Sequence, residues 1–464
     1  MTSFSVAKVP TTTSSHNTTN FIDSSRRNIT HSNIIMEPAI ATAAAYGVET
    51  AVEGGVAAYY LSKSTLPLQG HLEHVTTTDK LTRYGHTLSV ISDRAYVFGG
   101  SEDSNSQSLT NDVLELHVST DEDTTTAVLR SIPAVGDGEQ NAAHVPLART
   151  YHSASVARNR FFVFGGSENT SDNPKPLEEN GRLWVFDPLS SKWTFLDPPP
   201  DTTFPFARTK HVSTSSPDGS VIFVYGGLSY DQVGLNDLWA FYLDEGKWSR
   251  LPDPPGSPKS GINLTCGQGK LWRLGYGEDS AKSTDSMPRG QIDFLQYPTG
   301  GTLDDVSKDL VQGHMNDLKS NSQWETLDFN TSKQSETPSP RDSAVLHFIT
   351  TGNGRDYLLL ALGSDEREES SDIWIYQLPP TQYSGAKVKD VVREKLPGVD
   401  SHKGEWSRLQ ISGIKVGADE EKGGAWTSRR YFGSSMTGTK QLMIWGGLGP
   451  RNETLGDGWR IIID

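Results

Sequence analysis

One phrase recurs along this chain, and recurrence at a fixed period constrains a fold more than any other feature. TRYGHTLSVISDRAYVFGG at 82–100 returns as ARTYHSASVARNRFFVFGG at 148–166 and as ARTKHVSTSSPDGSVIFVYGG at 207–227. Each copy has an arginine, a histidine three residues later, an apolar strand, a polar turn, a second strand and Gly-Gly. RRYFGSSMTGTKQLMIWGG at 429–447 is the last copy. KSGINLTCGQGKLWRLGYG at 259–277 and RDSAVLHFITTGNGRDYLLLALG at 341–363 are degraded ones. A second phrase follows each: NDVLEL, RLWVFDPLSSKWTFL, NDLWAFYLDEGKWSRL, QIDFLQY, SDIWIYQL and DGWRIII, most with a later Trp. Alternating apolar residues between turn residues read as strands, so each unit predicts four of them.

The Arg-x-x-His, Gly-Gly and paired-aromatic pattern resembles kelch repeats. That resemblance implies an all-β fold, a β-propeller built from antiparallel four-stranded blades. Six copies over 82–464 imply six blades. The last copy stops after its third strand, and LPLQGHLEHV at 66–75 has the alternation to supply the missing one. An N-terminal strand in that place closes a ring without leaving an open edge. The long insertions at 296–323 and 377–404 are expected to be mobile surface.

Composition narrows the function. The chain has 464 residues and a formal net charge of −15, whose field repels phosphate backbones, so no nucleic-acid partner is expected. Only 34% of residues are hydrophobic, while Gly 44, Trp 11, Tyr 15 and Phe 16 favour short strands. Cys266 is the sole cysteine, which excludes an internal disulfide and a cysteine zinc site and fits a reducing compartment. No apolar run reaches 18 residues and no secretory leader opens the sequence, so a cytoplasmic, membrane-free, monomeric protein is expected. The sequons at Asn28, Asn169, Asn263, Asn330 and Asn452 are then incidental. Residues 1–36 are Ser-, Thr- and Asn-rich and predict a disordered tail, a transit peptide or a gene-model extension ahead of Met36. Residues 37–63 predict a short Ala-rich helix, broken near Gly54-Gly55, and a linker. The propeller is expected over 64–464.

Counting back sixteen residues from the first Gly of each pair gives Arg83, Arg149, Lys259 and Arg430. The longer hairpins put Arg208 and Arg341 at the same place. Six cations before six innermost strands are expected to ring one mouth of the central channel. They either bind an anion there or tie blades together through carbonyls and carboxylates. His86, His152 and His211 are repeat-equivalent and read as a metal set or, more simply, as structural histidines. Asp112, Asp237, Asp372 and Asp457 recur before the third strand and read as turn caps. Asp293 stands where other units have Trp or Leu, and is a candidate site residue or a solvated strand position. Glu178 and Glu179 pair in the loop DNPKPLEENGR, either for acid–base work or as plain surface. Cys266 reads as a packing residue before a nucleophile.

Two kelch-like enzyme families give contrasts. Galactose oxidase needs copper, a cysteine–tyrosine cross-link and secretion, which one cysteine and no leader do not support. Nitrile-specifier proteins hold ferrous iron with Glu-x-x-x-Asp-x-x-x-His, which is absent here; the cluster Glu278, Asp279 and Asp285 lacks the His. PLEENGR, NDLWAF and GQIDFL resemble uncharacterised fungal kelch proteins more closely. No BTB-like or F-box-like segment is evident. The sequence therefore predicts a non-catalytic interaction module without a cofactor, binding an acidic partner segment or a small anion at the basic mouth. The alternative is a small-molecule lyase or isomerase of nitrile-specifier type, with Fe²⁺.

Overall fold

A computed structural model describes residues 64–77, 81–102, 109–120, 125–137, 144–169, 173–256, 263–276, 290–297, 323–327, 336–339, 341, 343–352, 354–364, 370–380, 384–395, 401–415 and 426–464. Strand β1 (Gln69–Thr77) precedes the repeats. Repeat one gives β2 (Tyr84–Ile91), β3 (Arg94–Ser101), β4 (Val113–Thr120) and β5 (Thr125–Ile132). Repeat two gives β6 (Ser153–Ala157), β7 (Arg160–Phe164), β8 (Leu183–Asp187) and β9 (Lys192–Leu196). Repeat three gives β10 (Val212–Ser215), β11 (Val221–Leu228), β12 (Gly234–Tyr242) and β13 (Lys247–Leu251). Repeat four gives β14 (Thr265–Gly267), β15 (Lys270–Tyr276), β16 (Gly290–Gln296) and β17 (Trp324–Leu327). Repeat five gives β18 (Val345–Gly352), β19 (Arg355–Ala361), β20 (Ile373–Gln377), a helix α1 (Gly385–Glu394) and β21 (Trp406–Arg408). Then come β22 (Gln410–Lys415) and repeat six, with β23 (Gly433–Met436), β24 (Gln441–Trp445) and β25 (Gly458–Ile463).

Repeats two to five each form a separate four-stranded antiparallel sheet in chain order. The fold is the all-β propeller type that the repeats imply. The fourth strand missing from repeat six is supplied by β1, antiparallel to β25 from Gly70↔Ile463 to Val75↔Gly458. Six separate sheets are not what forms, however. The other edge of β1 pairs in parallel with β5 (Val75↔Thr125) and with β22 (Gln69↔Gln410). Those bonds join repeats one and six into a nine-stranded sheet.

The alternating apolar faces pack between successive sheets. Phe98 of β3 shares one cluster with Phe161, Phe186 and Trp193 of the next sheet. Phe164 shares the following cluster with Trp239, Phe241 and Trp248. Trp193 lies 4.8 Å from Phe98, and Trp248 lies 5.3 Å from Phe164, so the later Trp of a unit packs on the sheet before it. Burying such a ring contributes about 4–6 kcal/mol of transfer free energy.

The expected helix at 37–62 lies outside the described residues, as does most of 296–323. The insertion at 377–404 departs from the expected mobility, because α1 is tied down. The Ser384 hydroxyl accepts the Lys387 N–H at 3.2 Å and caps its N-terminus. Buried Asp390 takes both ends of the Arg355 guanidinium, at 2.5 and 2.8 Å. Among the described residues, no helix is long and apolar enough to cross a membrane.

Candidate functional site

The recurring arginines are anchors within their own sheets. Arg149 and Arg208 have 0% exposure. Arg149 donates to the Gly165 carbonyl at 2.9 Å and grips Glu179 twice at 2.8 Å. Arg208 does the same with the Gly226 carbonyl at 3.0 Å and Asp237 twice at 2.8 Å. Arg341 grips Asp372, and Arg83 reaches Glu102 at 3.1 Å. The Trp two residues after the Asp donates its indole N–H to that same carboxylate: Trp239 to Asp237 at 2.6 Å, Trp374 to Asp372 at 2.7 Å and Trp459 to Asp457 at 2.6 Å. Burial alone would raise the Asp237 pKa, but hydrogen bonds from Arg208 and Trp239 outweigh it and hold the group below its ordinary range. Asp237, Asp372 and Asp457 therefore complete a clamp, where turn caps were expected, while Asp112 accepts the Ser131 hydroxyl at 3.0 Å. In repeat two Arg182 occupies the Asp position, and Glu179 from the preceding loop replaces it, taking the Trp184 N–H at 2.8 Å.

The fixed count of sixteen fails in the last repeat. There Arg429, not Arg430, donates to the Gly446 carbonyl (3.2 Å) and to Asp457 (2.9 Å). The hairpin loop sets the offset. Two residues separate Ala157 from Arg160 in β6–β7, whereas Thr437 bonds Gln441 across three. One extra loop residue moves the anchor back by one, and Arg430 turns outward to Asn452. Lys259 lies outside the described residues.

The histidines sit between sheets. His152 meets the Thr87 hydroxyl at 3.0 Å and His211 meets Ser153 at 2.9 Å, each on the preceding sheet. Here the first Gly of each pair is needed. A Cβ on Gly99 (φ +66) would fall 2.6 Å from the His152 ring, and one on Gly165 (φ +60) would fall 2.9 Å from His211. Burial lowers His86 and His211 to about 3, with Arg83 and Arg208 as second causes, and lowers His347 to about 4. Burial also holds His152 well below its ordinary value. These imidazoles are neutral at pH 7, and those of His152 and His211 bond separate neighbours. Among the described residues, no group of three or more His, Cys, Asp or Glu could hold a metal ion.

The first strands of the repeats instead wall a cavity of about 470 Å³. None of the anchor arginines lines it. At one end stand the residues two places after each anchor: Gly85, Tyr151, Lys210, Ser343 and Tyr431. All five have left-handed backbones, with φ from 53 to 66°. The Tyr151 and Tyr431 rings meet edge-on at 5.3 Å. The Lys210 ammonium lies 5.1 and 5.4 Å from their centroids. With the histidines neutral, Lys210 is the single charged group in the described lining. No carboxylate forms an ion pair with it among the described residues. Sequence reasoning missed this trio, although the position was marked by the invariant offset from the anchor. Hydroxyls also bond first strands of neighbouring repeats to one another: Ser435 accepts the Val90 N–H at 2.9 Å and Thr265 accepts the Phe348 N–H at 3.1 Å.

The remaining candidates stand apart from the cavity. Asp293 has 0% exposure, not the solvated position expected. It faces Arg273 across β15–β16 at 2.7–2.8 Å and accepts from Thr326 at 2.7 Å. Glu178 is exposed while Glu179 is committed to Arg149, so the two carboxylates do not act together. Cys266 is buried, donates to the Tyr297 hydroxyl at 2.8 Å, and is pushed by burial up to about 12, which suits packing and not nucleophilic attack.

Residues 58–275 match the family described as the KLHDC2/KLHL20/DRC7 Kelch-repeats domain. The N-(sulfonatooxy)prop-2-enimidothioate sulfolyase of Thlaspi arvense is 34% identical over 200 residues, 41% of this chain and 50% of that protein. Kelch domain-containing protein 3 of Bos taurus is 28% identical over 180 residues, 38% of this chain and 41% of that protein. The chain thus spans half or less of the length of these two curated relatives. A solved structure titled "Structure of YjhT" aligns with a TM-score of 0.49 at 13% identity, covering 82% of this chain and 95% of that one.

Proposed function

Because this chain belongs to the kelch-repeat β-propeller family, we propose that it is a non-catalytic interaction module. Its channel mouth holds an anionic group, either an acidic partner segment or a small anion, on Lys210 between Tyr151 and Tyr431. The observation that carries this reading is the single cation in an otherwise neutral lining, half-buried and without a carboxylate partner among the described residues. A cation in a low-dielectric recess attracts an anion more strongly than one in open water. We read the nine-stranded sheet as two blades, β2–β5 and β23–β25 with β1, which makes six blades around the channel. A monomeric, cytoplasmic protein fits this reading. The six basic residues found in the sequence enter it indirectly, since Arg149 and Arg208 fix the strands that present Tyr151 and Lys210.

Calorimetry and thermal melting of the full chain with sulfate, succinate and a Glu-rich peptide test it. At least one anion should raise the midpoint, by mass action on the folded state. Lys210→Gln should abolish that rise while keeping the ligand-free midpoint. A rise that survives Lys210→Gln places the anion elsewhere and overturns the reading.

The 34% identity to the sulfolyase favours a second reading, a small-molecule lyase or isomerase acting at the same mouth. Iron is the cofactor that reading calls on. The described residues do not fit a metal centre, so no step is derived through one. Stoichiometric iron in freshly purified protein would favour this second reading over a scaffold.

A further inference from the structure

We propose that the loop surface beside the channel mouth is a docking platform for an extended segment of a partner protein, one that carries an acidic residue and, at a fixed distance from it, a large apolar side chain. This rests on the anion site at Lys210. Three large apolar residues stand out on neighbouring loops: Phe206 is 72% exposed, Val233 59% and Tyr230 50%. They are not on loose chain. The Lys175 ammonium donates to the Tyr230 hydroxyl at 2.9 Å and lies 4.3 Å from its ring. Gln232 donates to the Pro174 carbonyl at 3.1 Å, which ties the β11–β12 turn to the loop holding Lys175. Phe206 and Leu177 line one small cleft, which brings the third loop alongside.

The platform is also fixed relative to the mouth. Phe206 lies four residues before Lys210, and Arg208 stands between them. Arg208 donates through Nε to the Phe206 carbonyl at 3.0 Å while its guanidinium is clamped on Asp237. One buried side chain therefore positions both the apolar ring and the strand that starts at the cation. Fixed aromatic groups such as Phe206 and Tyr230 are the kind of side chain enriched at interface centres. Lys175 stands beside Tyr230 but is offset by exposed Asp231 and Glu178 on the same loops, so the choice of an acidic partner rests on Lys210 at the mouth. A small inorganic anion would use Lys210 and leave Phe206 and Tyr230 bare.

The test is a positional-scanning library of nine-residue peptides made in two sets, with Glu or with Gln at the centre, bound to the full chain and read by fluorescence polarisation. The parent should prefer Glu over Gln by at least tenfold, and Leu, Ile, Phe or Trp at one distance from it. Phe206→Ser, an exposed substitution that leaves the core alone, should weaken the selected peptide at least fivefold and erase the apolar preference while keeping the Glu preference. Lys210→Gln should erase the Glu preference. A Glu preference without an apolar one, or an unchanged Phe206→Ser, overturns the platform and leaves the anion site standing. The same holds if no peptide binds but sulfate or succinate still raises the melting point through Lys210. Loss of both responses overturns the anion site as well.

Discussion

Gly85 shows that glycine satisfies the turn two places after an anchor arginine, yet Tyr151, Lys210, Ser343 and Tyr431 keep side chains there at φ 53–56°. A left-handed backbone costs a non-glycine residue roughly 1–2 kcal/mol. Such outliers persist where the side chain has a task, and three of these four make up the mouth. Tyr431→Gly should therefore leave the midpoint within about 1 kcal/mol of the parent, because relief of strain offsets the lost edge-on contact with Tyr151. Anion binding should fall several-fold in the same variant. A variant that unfolds, or that binds as before, contradicts the assignment. In the sequence only the offset from the anchor marked this position and its role was hidden, since Gly, Tyr, Lys, Ser and Tyr share no chemistry; what they share is a dihedral angle. The anchor arginines were legible, and the slip from Arg429 to Arg430 came from one residue of hairpin loop that the spacing could not reveal.

The clamps Arg208–Asp237, Arg341–Asp372 and Arg429–Asp457 each join the start of a first strand to the start of a third, through a carboxylate that also holds an indole. Removing one partner leaves the other charged group buried and unpaired, which costs about 3–5 kcal/mol. Arg208→Met should destabilise by about that amount in chemical denaturation, with Asp237 left without its cation. Repeat two offers a rescue experiment, because its Asp position is Arg182 and Glu179 has taken over. Glu179→Ala should cost about 3 kcal/mol, and adding Arg182→Asp should recover part of it by restoring the arrangement of repeat three. No recovery would mean that the loop geometry, and not the carboxylate, fixes this clamp. The four strands per repeat could be read from the alternation. The clamp could not, because Arg208 and Asp237 are 29 residues apart and only the folded sheet brings them to 2.8 Å.

Two properties belong to the assembled ring of sheets. The first is acid sensitivity. His86, His211 and His347 are held at about 3, 3 and 4 by burial, and His152 is held well below its ordinary value. Unfolded histidine takes its proton near 6.5. Below that pH the unfolded chain binds more protons than the folded one, so stability is full above about 6.5 and falls as pH drops toward 4, by up to about 1.4 kcal/mol per unit for each histidine. The lowered Asp237 and Asp457 add losses only in the carboxylate range below that. A melting point unchanged between pH 7.5 and 5 would mean these rings accept protons in the folded protein.

The second property is closure. That LPLQGHLEHV at 66–75 has the alternation of a strand was legible, and it is this strand that pairs with β25. That β5 and β22 would also bond to this strand was not, because β22 carries no repeat phrase. Leu72 and Val75 of β1 are 1% exposed, and Glu73 between them is 4% exposed. The Glu73 carboxylate collects Arg460 of β25 at 3.0 Å, Thr125 of β5 at 3.4 Å and Lys415 of β22 at 3.5 Å. One strand thus supplies the apolar contact and the central charge for three neighbours. Deleting residues 64–80 would bare one edge of β25 and remove the Glu73 carboxylate that Arg460 holds. The deletion variant should lose cooperative melting altogether, while Glu73→Gln, which keeps the strand, should lower the midpoint and retain cooperativity. A deletion variant that melts like the full chain would show that the remaining sheets hold their ring without β1.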